Sequence, residues 1–197
     1  MSIEISNRQL EIIEAAGKLL THSGVSGLTI KNLAKEMGFS ESALYRHFES
    51  KEEIILALLN YLAANMEERL SRVYEEKDSP EEKIRKLFGS HMDFFKKNAH
   101  FVVAVFSDGL MEESEKINQA ITSIMKVNVK HLMPILQEGQ KKHVFTNDIP
   151  AAELMNIVMG TFRLQLLKWR IDNFRFELKK TANKSLDAVI TLITNKT

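Results

Sequence analysis

The sequence predicts an all-α protein, and three observations carry that prediction. Apolar residues recur at three- and four-residue steps almost throughout, while the alternation of a half-buried strand is hard to find. Proline and glycine are scarce, at 3 and 8 in 197 residues. Serines and threonines that can cap helices stand just ahead of the apolar rows. At 44% hydrophobic content the chain is long enough to bury the core of one or two domains.

The first helix is expected over about 7–22. Ser6 and Gln9 have capping-box spacing, and Leu10, Ile13, Gly17 and Leu20 share one face. Gly24 is its expected stop. Thr29 is an N-cap for a short second helix that buries Ile30, Leu33, Ala34 and Met37, and Leu28 and Leu33 have staple spacing. Gly38 then turns the chain, because glycine enters the left-handed region without a Cβ clash. Ser40 starts a third helix, in which Leu44 and Phe48 are four apart and point into the core. Two short helices joined by a tight glycine turn form a helix-turn-helix, whose second helix enters the DNA major groove.

Donors cluster around the Leu44–Phe48 pair: Tyr45, Arg46, His47 and Lys51. Donors of this kind reach phosphate oxygens, and the outer face of the first turn reaches base edges. Bulk charge does not carry a nucleic-acid reading. The net charge is +1, and the first sixty residues hold six Lys and Arg against eight Glu, net −2. Helix N-termini bind phosphate through free N–H groups even where side chains are not basic.

A long amphipathic helix follows, over about 51–76, with Ile54, Ile55, Leu58, Leu62, Met66, Leu70 and Val73 on one side. Lys77-Asp78-Ser79-Pro80 breaks it, and Ser79, Pro80 and Glu82 start the next as N-cap, N1 proline and capping-box acid. That helix carries Ile84, Leu87, Phe88, Met92 and Phe95 on its apolar face. The short apolar run 100–108 reads as a buried helix, since no partner strand is in sight. A helix is expected over 115–141, kinked or split at Pro134.

The segment 150–171 has two apolar stripes. Leu154, Val158, Phe162, Leu166 and Trp169 form one, and Ile157, Leu164, Leu167 and Ile171 the other. A helix apolar on two faces is buried on two sides, and Gly160 permits close helix approach. The last helix, over 178–194, carries Ala182, Leu186, Val189, Ile190 and Ile193. Two such helices from each of two subunits make a four-helix interface, assigned to Leu166, Trp169, Leu186, Val189, Ile190 and Ile193. The competing reading is a monomer with a larger core. A dimer is preferred because one recognition helix reads too few base pairs.

Methionine and phenylalanine are frequent after residue 80. Phe88, Met92, Phe95, Phe106, Met125, Met159 and Phe162, with Arg163 for a polar contact, read as the lining of a site for an apolar or amphipathic ligand, since such side chains repack around a flexible molecule. Taken one by one, each reads equally as core. His91, His100, Asp108 and His131 are further polar candidates, and Glu112-Glu113 reads as a solvated face.

With no cysteine, disulfides and thiolate sites are excluded. There is no run of eighteen apolar residues and no basic-then-apolar leader at the start, so a cytoplasmic location without a membrane partner is expected. No HExxH spacing, phosphate-binding glycine loop or nucleophile motif occurs, so no enzyme, cofactor or metal site is expected.

The stretch LTIKNLAKEMGFSESALYRHFESKEEIILAL, Leu28 to Leu58, resembles the DNA-binding domain of the tetracycline-repressor (TetR) family. Thr29, Leu33-Ala34, Gly38, Ser40, Leu44-Tyr45, His47-Phe48 and Ser50-Lys51-Glu52 hold the family's spacing in one frame. The resemblance covers roughly the first 60 residues. It implies phosphate contacts at Thr29, Tyr45, His47 and Lys51, and base reading at Lys31, Glu41, Ser42, Ala43 and Arg46, with Ser40 at the same interface. Ser42 departs from the Gly or Pro common at that place, and suits capping or contact. Taken singly, Tyr45, His47 and Lys51 also read as a half-buried aromatic, a surface histidine and a solvated helix start. The resemblance further implies a helix-turn-helix domain over residues 1–50, a helical ligand-binding and dimerisation domain over 51–197, and about nine helices in all. The expected protein is a homodimeric transcriptional regulator, a repressor released from its double-stranded DNA operator by a small-molecule effector. The alternative is a ligand-independent DNA-binding or adaptor protein of the same fold.

Overall fold

The computed structural model describes residues 5–111 and 114–195. Glu112-Glu113 and the Asp108 side chain lie outside that description. Ten helices occur among the described residues: α1 Asn7–Gly27, α2 Ile30–Met37, α3 Glu41–Tyr45, α4 Lys51–Leu70, α5 Pro80–Lys97, α6 Ala99–Val105, α7 Asp108–Met111, α8 Glu115–Lys141, α9 Ala151–Ile171 and α10 Leu178–Ile193. The one helix beyond the nine expected is the four-residue α7, too short to show a period.

Local chemistry sets most boundaries as expected. Ser6 and Gln9 close a capping box on α1. At Gly24 the backbone leaves helical geometry (φ 66°, ψ −171°), as expected of a stop, and a short further piece of helix carries α1 on to Gly27. Ser79 and Glu82 cap α5 reciprocally, at 3.2 Å and 2.8 Å. Of the run 100–108 read as one buried helix, residues 100–105 belong to α6, and the chain leaves the helix at Phe106 and Ser107 before α7.

One expected boundary moves, and one expected break does not occur. α4 ends at Leu70, not near residue 76, because the buried Asp78 carboxylate accepts the Glu75 N–H at 2.7 Å and folds 71–79 into turns. Pro134 does not split α8. The proline is exposed, as is Lys130, whose carbonyl loses its helical donor, so water can serve that carbonyl.

The described residues pack as two units. One holds the residues up to Asn65 together with 98–125; the other holds 66–97 and the residues from 126 onward. In the first, α1 packs on α2 and α6. Its core includes Ile12, Ile13, Leu33, Leu44, Ile55, Leu58 and Phe101. In the second, α10 packs on α9 and α5. There the bridge between Phe145 and Thr194, with Thr146 N–H donating to the Ile193 carbonyl at 2.8 Å, fastens the end of α10.

The same packing covers the residues expected at the dimer face. Leu166, Trp169, Leu186, Val189, Ile190 and Ile193 are each 7% exposed or less within a single chain, because α9 and α10 close on each other there. The second stripe of α9 stays open instead: Ile157, Leu164, Leu167 and Ile171 are 42, 47, 37 and 72% exposed. A Cβ added at Gly160, in the same row, would meet nothing within 4 Å.

Candidate nucleic-acid interface and effector site

Three local devices build the helix-turn-helix. The Thr29 side chain accepts from Asn32 N–H at 3.1 Å and opens α2. Gly38 takes φ 67° and returns its N–H to the carbonyls of Ala34 and Lys35. Ser40 accepts from Ala43 N–H at 3.2 Å and opens α3. The Ser42 hydroxyl lies 3.0 Å from that of Ser40, so this serine belongs to the cap as well as to the outer face. Leu44 and Phe48, 0 and 4% exposed, pin α3 inward. The carbonyl of His47 accepts from Gln9 of α1 at 3.4 Å. Ser50 caps α4 by accepting from Glu53 N–H at 3.1 Å.

All ten residues expected at DNA lie in the first unit. Thr29, Lys31, Ser40, Glu41, Ser42, Tyr45 and Arg46 are exposed; Ala43, His47 and Lys51 are half-buried. Tyr45 is 51% exposed although its neighbour Leu44 is fully buried. The surface therefore combines a guanidinium that can pair with a guanine edge, a carboxylate that can accept from cytosine, and flanking phosphate donors.

Of the eight residues expected at an effector, six lie in the second unit: Phe88, Met92, Phe95, Met159, Phe162 and Arg163. Phe106 and Met125 lie in the first, and Met125 is 53% exposed. Phe88, Met92 and Phe162 meet around a space of about 10 Å³, together with Thr161, Ala182 and Leu186. That is room for roughly one water, so a larger guest must part these side chains. Phe95 stacks on His91, with ring centroids 6.2 Å apart. Met159 is half-buried and Arg163 is exposed.

Sequence reasoning missed part of the polar interior of this unit. His91 is 1% exposed among Phe88, Phe95 and Phe162, at centroid distances of 6.0, 6.2 and 5.7 Å. Burial first, and the Arg69 guanidinium second, push its ring down to about 3 against the contact with Asn128. Arg69 gives one guanidinium nitrogen to the carbonyl and hydroxyl of Ser90, at 3.0 and 2.7 Å, and lies 4.4 Å over Phe94. His131 faces Glu67 at 3.2 Å, and Glu67 is held below the ordinary carboxylate range by its hydrogen bond from Lys130. Asn128 and Gln165 are buried as well. The clue to Asn128 was a polar residue in the apolar row Ile117, Ile121, Ile124, Leu132, Ile135. For Gln165 it was a place beside Leu166, on the buried arc of α9. No group of three or more His, Asp or Glu among the described residues fits a metal ion. No helix among them is long and apolar enough to cross a membrane.

Comparison with known proteins gives two family models. "Bacterial regulatory proteins, tetR family" matches residues 12–58, and "YsiA-like protein, C-terminal region" matches residues 60–192. The nucleoid occlusion factor SlmA of Vibrio atlanticus is 30% identical over 161 residues, which is 79% of this chain and 82% of that protein. The fatty acid metabolism regulator protein of Bacillus subtilis is 22% identical over 189 residues, 96% of this chain and 97% of that protein. Among solved structures, the transcriptional regulator FadR from Bacillus subtilis in complex with stearoyl-CoA superposes with a TM-score of 0.81 at 21% identity. That match covers 93% of this chain and 98% of the other, and it establishes the shared fold.

Proposed function

The chain belongs to the TetR family of bacterial regulatory proteins, and from that premise we propose a homodimeric transcriptional repressor that leaves its operator when an amphipathic ligand binds. Residues 1–50 carry DNA binding, and residues 51–197 carry dimerisation and effector binding. The observation that carries the reading is the division of α3 and the turn that follows it into a buried pair, Leu44 and Phe48, and an exposed polar face, Glu41, Ser42, Tyr45 and Arg46.

The open stripe of α9 supports the dimer. Ile157, Gly160, Leu164, Leu167 and Ile171 recur at steps of three and four, the pattern of a helix packed along another helix. On α10 the small residues Ser185 and Ala188 precede the 80% exposed Leu192 at the same steps, a second row for a four-helix contact. Two recognition helices then address half-sites about one helical turn apart.

The effector is a molecule with a long apolar part. The C-terminal match to a YsiA-like region and the likeness to regulators of fatty acid metabolism, one solved with stearoyl-CoA, support a fatty-acyl thioester as the first candidate. The aromatic and methionine-lined interior of the second unit supports the same class. α4 and α8 each contribute residues to both units. A ligand that favours one arrangement of these helices shifts the population away from the DNA-binding form.

A second reading, an adaptor that binds DNA without an effector, is favoured by the higher identity to SlmA. Selecting fragments of the source genome on purified protein tests both. The repressor reading expects sites close to promoters that are lost when palmitoyl-CoA is added. Sites scattered without regard to promoters, and indifferent to it, support the adaptor.

A further inference from the structure

His91 is a polar side chain in a place built for apolar ones. It is 1% exposed, three aromatic rings surround it, and the contact with the buried Asn128 leaves neither ring nitrogen with a hydrogen bond of ordinary length and angle. A buried polar group left in that state destabilises the fold unless it has a partner to meet. One turn along α9 from Phe162, the Gln165 side-chain oxygen is also buried without a hydrogen bond. The small space between Phe88, Met92 and Phe162 adjoins the same rings.

We propose that the His91 box is the polar anchor of the effector site, taking a neutral hydrogen-bonding group (a hydroxyl, or the carbonyl of an ester, thioester or amide) carried by an otherwise apolar molecule. The inference rests on the effector-responsive reading above and names the chemistry of the guest. The imidazole is neutral, so it offers one N–H donor and one nitrogen acceptor, the complement of such a group. Guests without polar atoms leave the ring as it is. A free carboxylate would have to shed its solvating water to enter a box of phenyl rings, and the neutral His91 ring brings no charge to meet it. Arg69, the nearest permanent cation acting on His91, is engaged with Ser90 and the Phe94 face. His131, the other titratable group that acts on His91, faces Glu67. The chain of the guest lies where Phe88, Met92 and Phe162 part.

The test uses the full-length protein and three probes of one chain length: 1-dodecanol, methyl dodecanoate and sodium dodecanoate, at pH 7.5. The proposal expects the alcohol and the ester to bind more tightly than the carboxylate. Their affinity should fall about tenfold in His91→Phe, the value of one hydrogen bond. His91→Gln, which keeps a donor and an acceptor, should retain most of it. The ring ¹⁵N signals of His91 in the wild type should move when 1-dodecanol is added, a readout independent of how any variant folds. Three results overturn the anchor alone and leave the effector reading standing: undiminished affinity in His91→Phe, tightest binding by dodecanoate, or silent ring signals during saturable binding. Failure of all three probes to bind the wild type overturns both.

Discussion

Gly17 of α1 faces His100 of α6 so closely that a Cβ at position 17 would lie 2.4 Å from the ring's Cδ2 and 2.9 Å from its Cγ. The second atom is near the stem of the side chain, so a rotation of the ring tip does not relieve the contact. Gly17→Ala should therefore destabilise the first unit by about 1–3 kcal/mol despite the better helix propensity of alanine. Adding His100→Ala should recover most of the loss. Thermal melts of the two single variants and the double variant give the coupling directly.

Phosphate and base contacts separate by their salt dependence. Lys51→Ala should weaken binding to every DNA sequence alike and flatten the salt slope by about one unit. Arg46→Ala, on the exposed face of the recognition helix, should cost about 1–3 kcal/mol and relax preference at one base pair. Titrations at several salt concentrations check both. A changed preference with an unchanged slope in the lysine variant would remove it from the phosphate set.

The two apolar stripes of α9 respond differently to charge. Leu164→Glu puts a carboxylate on the open stripe, so the chain should stay folded and become monomeric, with operator affinity lost. Leu186→Glu puts one into the chain's own core at 6% exposure, so it should unfold. Sedimentation and circular dichroism distinguish these outcomes. A folded, dimeric Leu164→Glu protein would move the interface elsewhere.

Much of this was legible in the sequence because the decisive features are local. Capping pairs such as Ser79–Glu82, the left-handed Gly38 and the four-residue step from Leu44 to Phe48 are read from neighbours, and the structure follows them. The choice between the stripes of α9 was not legible. Both have helical spacing, and only the packing of α10 on α9 decides which one remains open. The end of α4 depended on Asp78 reaching back to Glu75, a single hydrogen bond that outweighs the apolar period through Val73. Of the interior polar residues, His91 was visible as a candidate contact. Its isolation among rings came from α5 and α9 meeting across the second unit.

Acid should destabilise the protein through its buried histidines. Burial lowers the His91 ring from 6.5 to about 3 and that of His100 to about 4. In each case the unfolded chain takes up the proton first. The stability that depends on their neutrality is complete above about pH 6.5 and is lost as pH falls from there toward 3. For His91 the full loss amounts to roughly 3–5 kcal/mol. Urea melts from pH 7.5 to 4 should show stability falling, and His91→Phe should reduce the slope. An unchanged slope in that variant would place the acid sensitivity in other groups.

Effector and operator are coupled through one protein in the proposed function. Fluorescence anisotropy of an operator fragment bound to the wild-type protein measures that coupling, with palmitoyl-CoA as the titrant and free coenzyme A as the control. Binding of the acyl thioester to the DNA-free form should lower anisotropy in a saturable curve, and coenzyme A alone should leave it unchanged. A complex that holds its anisotropy at saturating palmitoyl-CoA, while the thioester demonstrably binds the protein, would contradict the account.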